Sequence, residues 1–251
     1  MAALESESNG RGDEQRHRGP SLLAVAIVYA VLFVASLIAM AALTGGEHFP
    51  SPFEPPASTS GFFSDHAAAV QVSAFLQFGA AMPLAIFSAA AASRLQFLGV
   101  RAAGPSIALV GGTLASAMTL LSGLVQWVLS QAGIATSDGA LRALHLLAFA
   151  SGGPGFVVPF GILVAGIAVS GGLPGHLPRW VMWFGLVIAA IAELSSLSIL
   201  TPAAAYLLPA ARFLGLIWLI VVGATLPSTR GSRTAATAGP AFHPLAGVPQ
   251  P

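Results

Sequence analysis

Six long apolar runs constrain this chain more than any other feature. They cover residues 22–44, 67–92, 105–130, 141–170, 180–200 and 206–226. Each reaches or approaches the ~20 residues that a helix needs to cross hydrocarbon. Composition points the same way: 55% of residues are hydrophobic and 8% are charged, where a globular domain carries about a quarter charged. That leaves too little polar surface to cover a soluble particle. The expected fold is an all-α polytopic membrane bundle of six transmembrane helices. Its primary partner is the lipid bilayer, and its expected location is the inner (plasma) membrane, multi-pass.

Arginine sets the orientation. The ten basic residues are all Arg. With the N-terminus inside, Arg11, Arg16, Arg18, Arg94, Arg101, Arg179, Arg230 and Arg233 fall on the cytoplasmic side. Only Arg142 falls on the other, and Arg212 lies within a span. The opposite loops carry Glu47, Glu54, Asp65 and Asp138. Positive charge gathers on cytoplasmic loops, so both termini are expected there. The near-neutral net charge of +1 therefore hides a polarised topology and gives no case for nucleic-acid binding. The first apolar run is about twice as long as the 7–15 residue core of a cleaved signal, so it reads as a span. The chain has no cysteine, which excludes disulfides, thiolate metal sites and cysteine nucleophiles within it.

Residues 1–19 and 228–251 read as disordered cytoplasmic segments flanking a membrane domain at 20–227, by polarity in the first and by Pro, Ala and Gly content in the second. The longest loop, 45–66, has four prolines and the phenylalanines Phe49, Phe53, Phe62 and Phe63. These rings are expected to anchor at headgroup level, with a lid over the bundle as the alternative. Trp180 and Trp183 near the inner interface and Trp127 near the outer one fit aromatic belts.

Small residues mark the helix contacts. Gly111, Ala115, Thr119 and Gly123 recur every four residues in the third run, and Ala69, Ser73, Gln77, Ala81, Ala85 and Ala89 do so in the second. Such stripes let helices approach closely. The fourth run is irregular at "SGGPGFVVP", where Pro154 and Pro159 cannot donate to Ala150 and Gly155. A proline kink is the plainer expectation there. A break whose freed carbonyls line a wet cavity is the sharper one.

One carboxylate stands inside an apolar run: Glu193, in "IAAIAELSSLSIL". At ~1.5 Å per residue it lies roughly 22 Å above the inner end of its helix, and Arg212 lies roughly 21 Å above the inner end of the next. A lone charge there costs at least ~2.5–3.5 kcal/mol, which favours pairing. The expectation is an ion pair between Glu193 and Arg212, with Gln77 level with it and the hydroxyls of Ser195, Ser196 and Ser198 nearby. Above it, Arg142 and His145 share a helix face, and Gln126, Asp65 and His66 add polar groups. The outer half is thus polar and the inner half apolar. One account makes the pair a structural clamp. The other makes it the floor of an outward-open pocket, with Arg212 or Arg142 receiving an anion and Glu193 or His145 moving a proton.

Other chemistry finds little support. Haem ligation needs two histidines at matched depth, and only His145 sits inside a span. No metal-hydrolase, nucleophile-elbow or phosphate-loop pattern occurs. No catalytic residue, metal ligand or cofactor is assigned, and the reading leans away from an enzyme.

The runs "ALRALHLLAFASGGPGFVVPFGILVAGIAV", "LPRWVMWFGLVIAAIAELSSLSIL" and "LLPAARFLGLIWLIVVGATLP" resemble a family of uncharacterised small bacterial six-helix membrane proteins. The likeness spans residues 65–227 and is closest over the last three runs. It implies shared positions at Arg142, His145, Glu193 and Arg212, and it implies no activity. Two functions are carried forward. The first is binding or transport of a small polar or anionic solute through Gln77, Arg142, His145, Glu193 and Arg212. The second is a non-catalytic sensor or assembly component whose buried ion pair is structural.

Overall fold

The computed structural model describes residues 15–230. Helix α1 (Leu22–Leu43) starts at Ser21, whose side-chain oxygen accepts from the Ala24 N–H at 3.3 Å, a standard way of satisfying an orphan first-turn donor. Gly45 (φ 65°) and Gly46 (φ 87°) then turn the chain into the outer loop, through a left-handed backbone that glycine adopts without strain. That loop contains a helix the apolar pattern did not signal, α2 (Pro56–Asp65). Pro56 stands at its start, where its missing N–H costs nothing. Five helices follow: α3 (Ala67–Phe97), α4 (Gly104–Leu129), α5 (Asp138–Gly152), α6 (Pro154–Gly172) and α7 (Arg179–Leu194). Two 3-10 turns, Ser195–Ile199 and Pro202–Tyr206, lead into α8 (Leu207–Thr225).

Six helical stretches are long and apolar enough to cross a membrane, and they coincide with the six apolar runs. The protein is therefore an all-α, multi-pass membrane bundle. The fourth span is built from α5 and α6 together. A separate small unit pairs β1 (Gln15–Arg16) antiparallel with β2 (Thr229–Arg230), and the His17 N–H donates to Ser228 O at 2.8 Å. Residues 1–14 and 231–251, most of both segments expected to be disordered, lie outside the described residues.

Around the bundle the neighbours run α1, α3, α4, α6, α7, α8 and back to α1, with α5 seated on α4. The fourth span is the most enclosed of the six. Small residues let it sit there. A β-carbon added at Gly111 of α4 would stand 2.7 Å from the Pro159 carbonyl of α6, and one at Gly166 of α6 would stand 2.7 Å from the Ala108 nitrogen. Gly123 does the same against α3, with 3.1 Å to the Phe78 nitrogen. The α4 stripe thus serves two neighbours at two heights. The α3 stripe behaves differently. Ala69, Ser73 and Ala81 are buried, while Ala89 at its inner end is exposed. A spacing of four drifts by about 40° per step on a 3.6-residue helix, so the later members rotate off the contact face.

At the arginine-rich end, called inner here, Arg94 is 5% exposed and donates to Leu226 O at 3.4 Å and Pro20 O at 3.3 Å. It ties the beginning of the first span to the end of the last. Trp180, Trp183 and Trp127 are exposed near the span ends.

The join between α7 and α8 differs from expectation. It is made by Trp218, fully buried, whose indole N–H donates to Val181 O at 2.8 Å. The ring lies against Gly185, where an added β-carbon would stand 2.7 Å from it. Glu193 and Arg212 form no ion pair. Glu193 is exposed at the outer end of α7, and its Oε1 would lie 3.6 Å from a β-carbon at Gly161 of α6. Arg212 instead turns inward, between α1 and the fourth span. The chain between the two helices forms two 3-10 turns, and similar height alone does not set side-chain direction.

Candidate functional site: an arginine-floored outer cavity

The site begins with the interruption of the fourth span. Pro154 offers no N–H, and Gly153 takes φ −86° and ψ −108°, outside the helical region. In a continuous helix the Gly152 carbonyl would accept from the Phe156 N–H. Here Phe156 donates to Gly153 O at 3.2 Å, so the Gly152 carbonyl is released at membrane depth. Pro159, by contrast, lies inside α6 without ending it. The structure therefore has a true break at Gly152–Pro154, and the simple kink expected there is corrected.

Arg212 takes up the freed group. One of its terminal nitrogens donates to the Gly152 carbonyl. Its guanidinium carbon lies 4.6 Å from the centre of the Phe156 ring and 5.4 Å from that of Phe33. A desolvated cation over a ring gains about 2 kcal/mol, and a hydrogen bond from a charged donor about 1.5–3 kcal/mol. Together these are comparable to the ~2.5–3.5 kcal/mol that insertion scales assign to a charge at mid-membrane. Arg212 can thus stay charged without a carboxylate. Its Nε is buried and has no partner among the described residues.

A chain of neutral polar groups stands beside it. The Ser122 hydroxyl donates to Ala148 O at 3.3 Å, and the Gln126 amide donates to Ser122 Oγ at 3.3 Å and to Gln77 Oε1 at 3.0 Å. Because the Gln77 oxygen is occupied as acceptor, its amide N–H2 remains as a donor.

The outer loop closes over these groups. Phe62 and Phe63 are 3% and 1% exposed, so they do not anchor at headgroup level as expected. They form an edge-on cluster with Phe49, and the Phe49 and Phe63 rings stand 5.8 Å and 5.2 Å from that of His145. Phe53 meets Phe149 edge-on at 5.4 Å. The loop is braced by His66 Nε2 to Glu47 Oε2 at 2.8 Å and by the Ser51 N–H donating to Glu54 Oε1 at 2.8 Å.

Between loop and Arg212 lies a cavity of about 380 Å³. Its polar lining is His48, Ser51, Gln77, Ser122, Gln126, His145 and Arg212, and no Asp or Glu contributes to it. Its walls include Phe49, Phe149, Leu208 and Pro209. A smaller recess bounded by Tyr29, Phe33 and Phe156 continues beneath, sharing Gln77, Ser122, Gly152 and Arg212. A third, lined by Glu54, Asp138, Arg142 and His145, lies under the loop.

Of the five residues expected to form the site, the structure brings Gln77, His145 and Arg212 to one cavity. Arg142 is exposed and shares only the recess under the loop with His145. Glu193 lines none of these three spaces. Sequence reading missed Ser122, the Gly152 carbonyl and the rings of Phe33, Phe156 and Phe149. The Gly-Gly-Pro break was a visible signal for the carbonyl; nothing in the apolar runs singled out those three rings. Among the described residues no cluster of His, Asp and Glu is placed to hold a metal ion. No family model, curated protein or solved structure matches the chain.

Proposed function

We propose that this membrane protein takes a small anionic solute from the outer side into the Arg212 cavity, for binding or transport. The observation that carries the reading is the Arg212 guanidinium, half-buried and with no carboxylate partner, on a cavity that contains no carboxylate. In a low-dielectric setting such a cation attracts an anion strongly and repels a cation. Gln77 supplies a second donor, and the break at Gly152–Pro154 gives the fourth span a place to flex. Thermal unfolding of the purified protein in nanodiscs, with a panel of small anions and small cations, tests this. At least one anion raises the transition temperature of the wild type, no cation does, and Arg212→Gln removes the response. Equal responses in wild type and variant overturn it.

A second reading, a membrane assembly component, draws on Glu193. A carboxyl exposed on the outside of the bundle within a span is costly in lipid, and a neighbouring helix with a hydrogen-bonding group relieves that cost. The internal clamp on which this alternative first rested is not formed. Loss of co-purifying or self-associated protein on Glu193→Ala, with solute binding unchanged, supports it; unchanged association removes it.

A further inference from the structure

The class of solute can be narrowed, and the narrowing rests on the anion-binding reading above. Three features of the cavity select among anions.

The first is the approach to Arg212. Phe33 and Phe156 flank the guanidinium, and Gly152 occupies one of its terminal nitrogens. What remains in its plane is the edge formed by the two terminal nitrogens, because Nε is buried. A carboxylate meets a guanidinium edge through parallel N–H···O bonds, a geometry that phosphate oxygens also reach, so this edge favours an oxoanion over a halide.

The second is charge. Arg212 is the cavity's one arginine or lysine, and the rest of its polar lining is amide, hydroxyl and imidazole. A dianion would leave one charge facing neutral groups in low dielectric, so a single negative charge fits.

The third is the wall. Above Arg212 the lining turns apolar, through Ala148, Phe149, Leu208, Pro209 and the loop prolines Pro50 and Pro52. The space of about 380 Å³ is far larger than a lone ion needs and falls within the ordinary range of pockets for small organic molecules. A chloride or formate would leave those walls facing water. An apolar body on the anion would bury them.

We infer that the occupant is a small organic monocarboxylate carrying an aromatic or branched apolar body. Its carboxylate sits on the Arg212 edge beside the Gln77 amide, and its body rests against Phe149 and Leu208.

Calorimetric titration of the full chain in nanodiscs tests this with benzoate, acetate, chloride, phosphate and benzylamine. Benzoate binds at least about tenfold more tightly than acetate, as burial of one ring implies. Chloride and phosphate bind more weakly still, and benzylamine does not bind. Phe149→Ala weakens benzoate much more than acetate and brings the two affinities together, a readout that general misfolding would not give. If acetate, chloride or phosphate equals or exceeds benzoate in an Arg212-dependent manner, the organic class is overturned while the anion cavity stands. If Phe149→Ala weakens both carboxylates equally, the proposed seat of the apolar body is wrong. If none of the four anions binds in an Arg212-dependent way, the anion-cavity reading itself falls.

Discussion

The outer and inner halves of this bundle are built from the same apolar helices, yet the outer half holds a cavity of about 380 Å³ and the inner half packs backbone against backbone. In the inner half, glycines let backbones touch. Gly111 and Gly166 bring α4 and α6 together, Gly185 receives the Trp218 ring, and Leu163, Val164, Ile167 and Val181 are fully buried. In the outer half the fourth span breaks, α5 sits on α4, and the space between them and α8 holds Arg212, Gln77, Ser122 and Gln126. The difference shows what a buried polar group does in a membrane bundle. A cation is held where backbone carbonyls are free to accept from it: Arg212 at the Gly152 break, and Arg94 at the inner helix ends through Leu226 and Pro20.

If that contrast is right, binding and stability separate by region. The largest effect belongs to Arg212→Met, which lowers affinity for the bound anion by about a hundredfold, from loss of a charge-assisted hydrogen bond of ~1.5–3 kcal/mol. Its thermal stability should change little, because the desolvation cost that is removed offsets the Gly152 carbonyl left unsatisfied. Titration and thermal unfolding on one sample check both halves of the statement. Gly111→Val does the opposite. Its β-carbon would press on the Pro159 carbonyl at 2.7 Å, and the overpacking costs about 1–3 kcal/mol of stability. In thermal unfolding it melts lower, while its affinity for the anion changes little. Should Gly111→Val abolish binding without melting lower, the two halves are not independent and the contrast fails.

Smaller effects sharpen the outer half. Gln126→Leu removes the donor to Gln77 Oε1 and Ser122 Oγ, which frees the Gln77 amide to rotate. Losing the orientation of one donor costs about 1 kcal/mol, or roughly a fivefold weaker dissociation constant. Smallest of all is Glu193→Gln. Since Glu193 faces away from the cavity, affinity and melting temperature of the isolated bundle stay within experimental error. A large loss of affinity on Glu193→Gln would place the carboxylate back in the site.

The sequence made the spans legible because the length of an apolar run is a direct measure of hydrocarbon thickness. It made the break legible in part, since Pro154 removes a donor wherever it lies in a helix. It failed on Glu193. Counting residues gives depth, and depth suggested that opposite charges at one height would meet. Direction around the helix axis depends on how α7 packs on α6, and the fully buried Ile188, Ala192 and Val181 turn Glu193 outward. Pairing also looked compulsory because the count took no note of the other ways a guanidinium is satisfied. Phe33, Phe156 and the Gly152 carbonyl supply them, and all three are distant from Arg212 along the chain. The loop failed for a related reason: aromatic rings near an interface suit either a headgroup layer or a lid, and only the fold shows that Phe49 and Phe63 gather on His145 while Phe62 packs on both of them.

The central claim is that Arg212 floors a cavity open to the outer side above a sealed inner half. Because the chain has no cysteine, single-cysteine variants test it directly with a membrane-impermeant thiol reagent added to one side at a time. Ala148→Cys and Ala205→Cys, on the cavity wall, should react from the outer side only, and more slowly when the anion is bound. Ala168→Cys, fully buried in the inner half, should react from neither. Unreactive cysteines at both 148 and 205, or labelling of either from the inner side, would contradict the account.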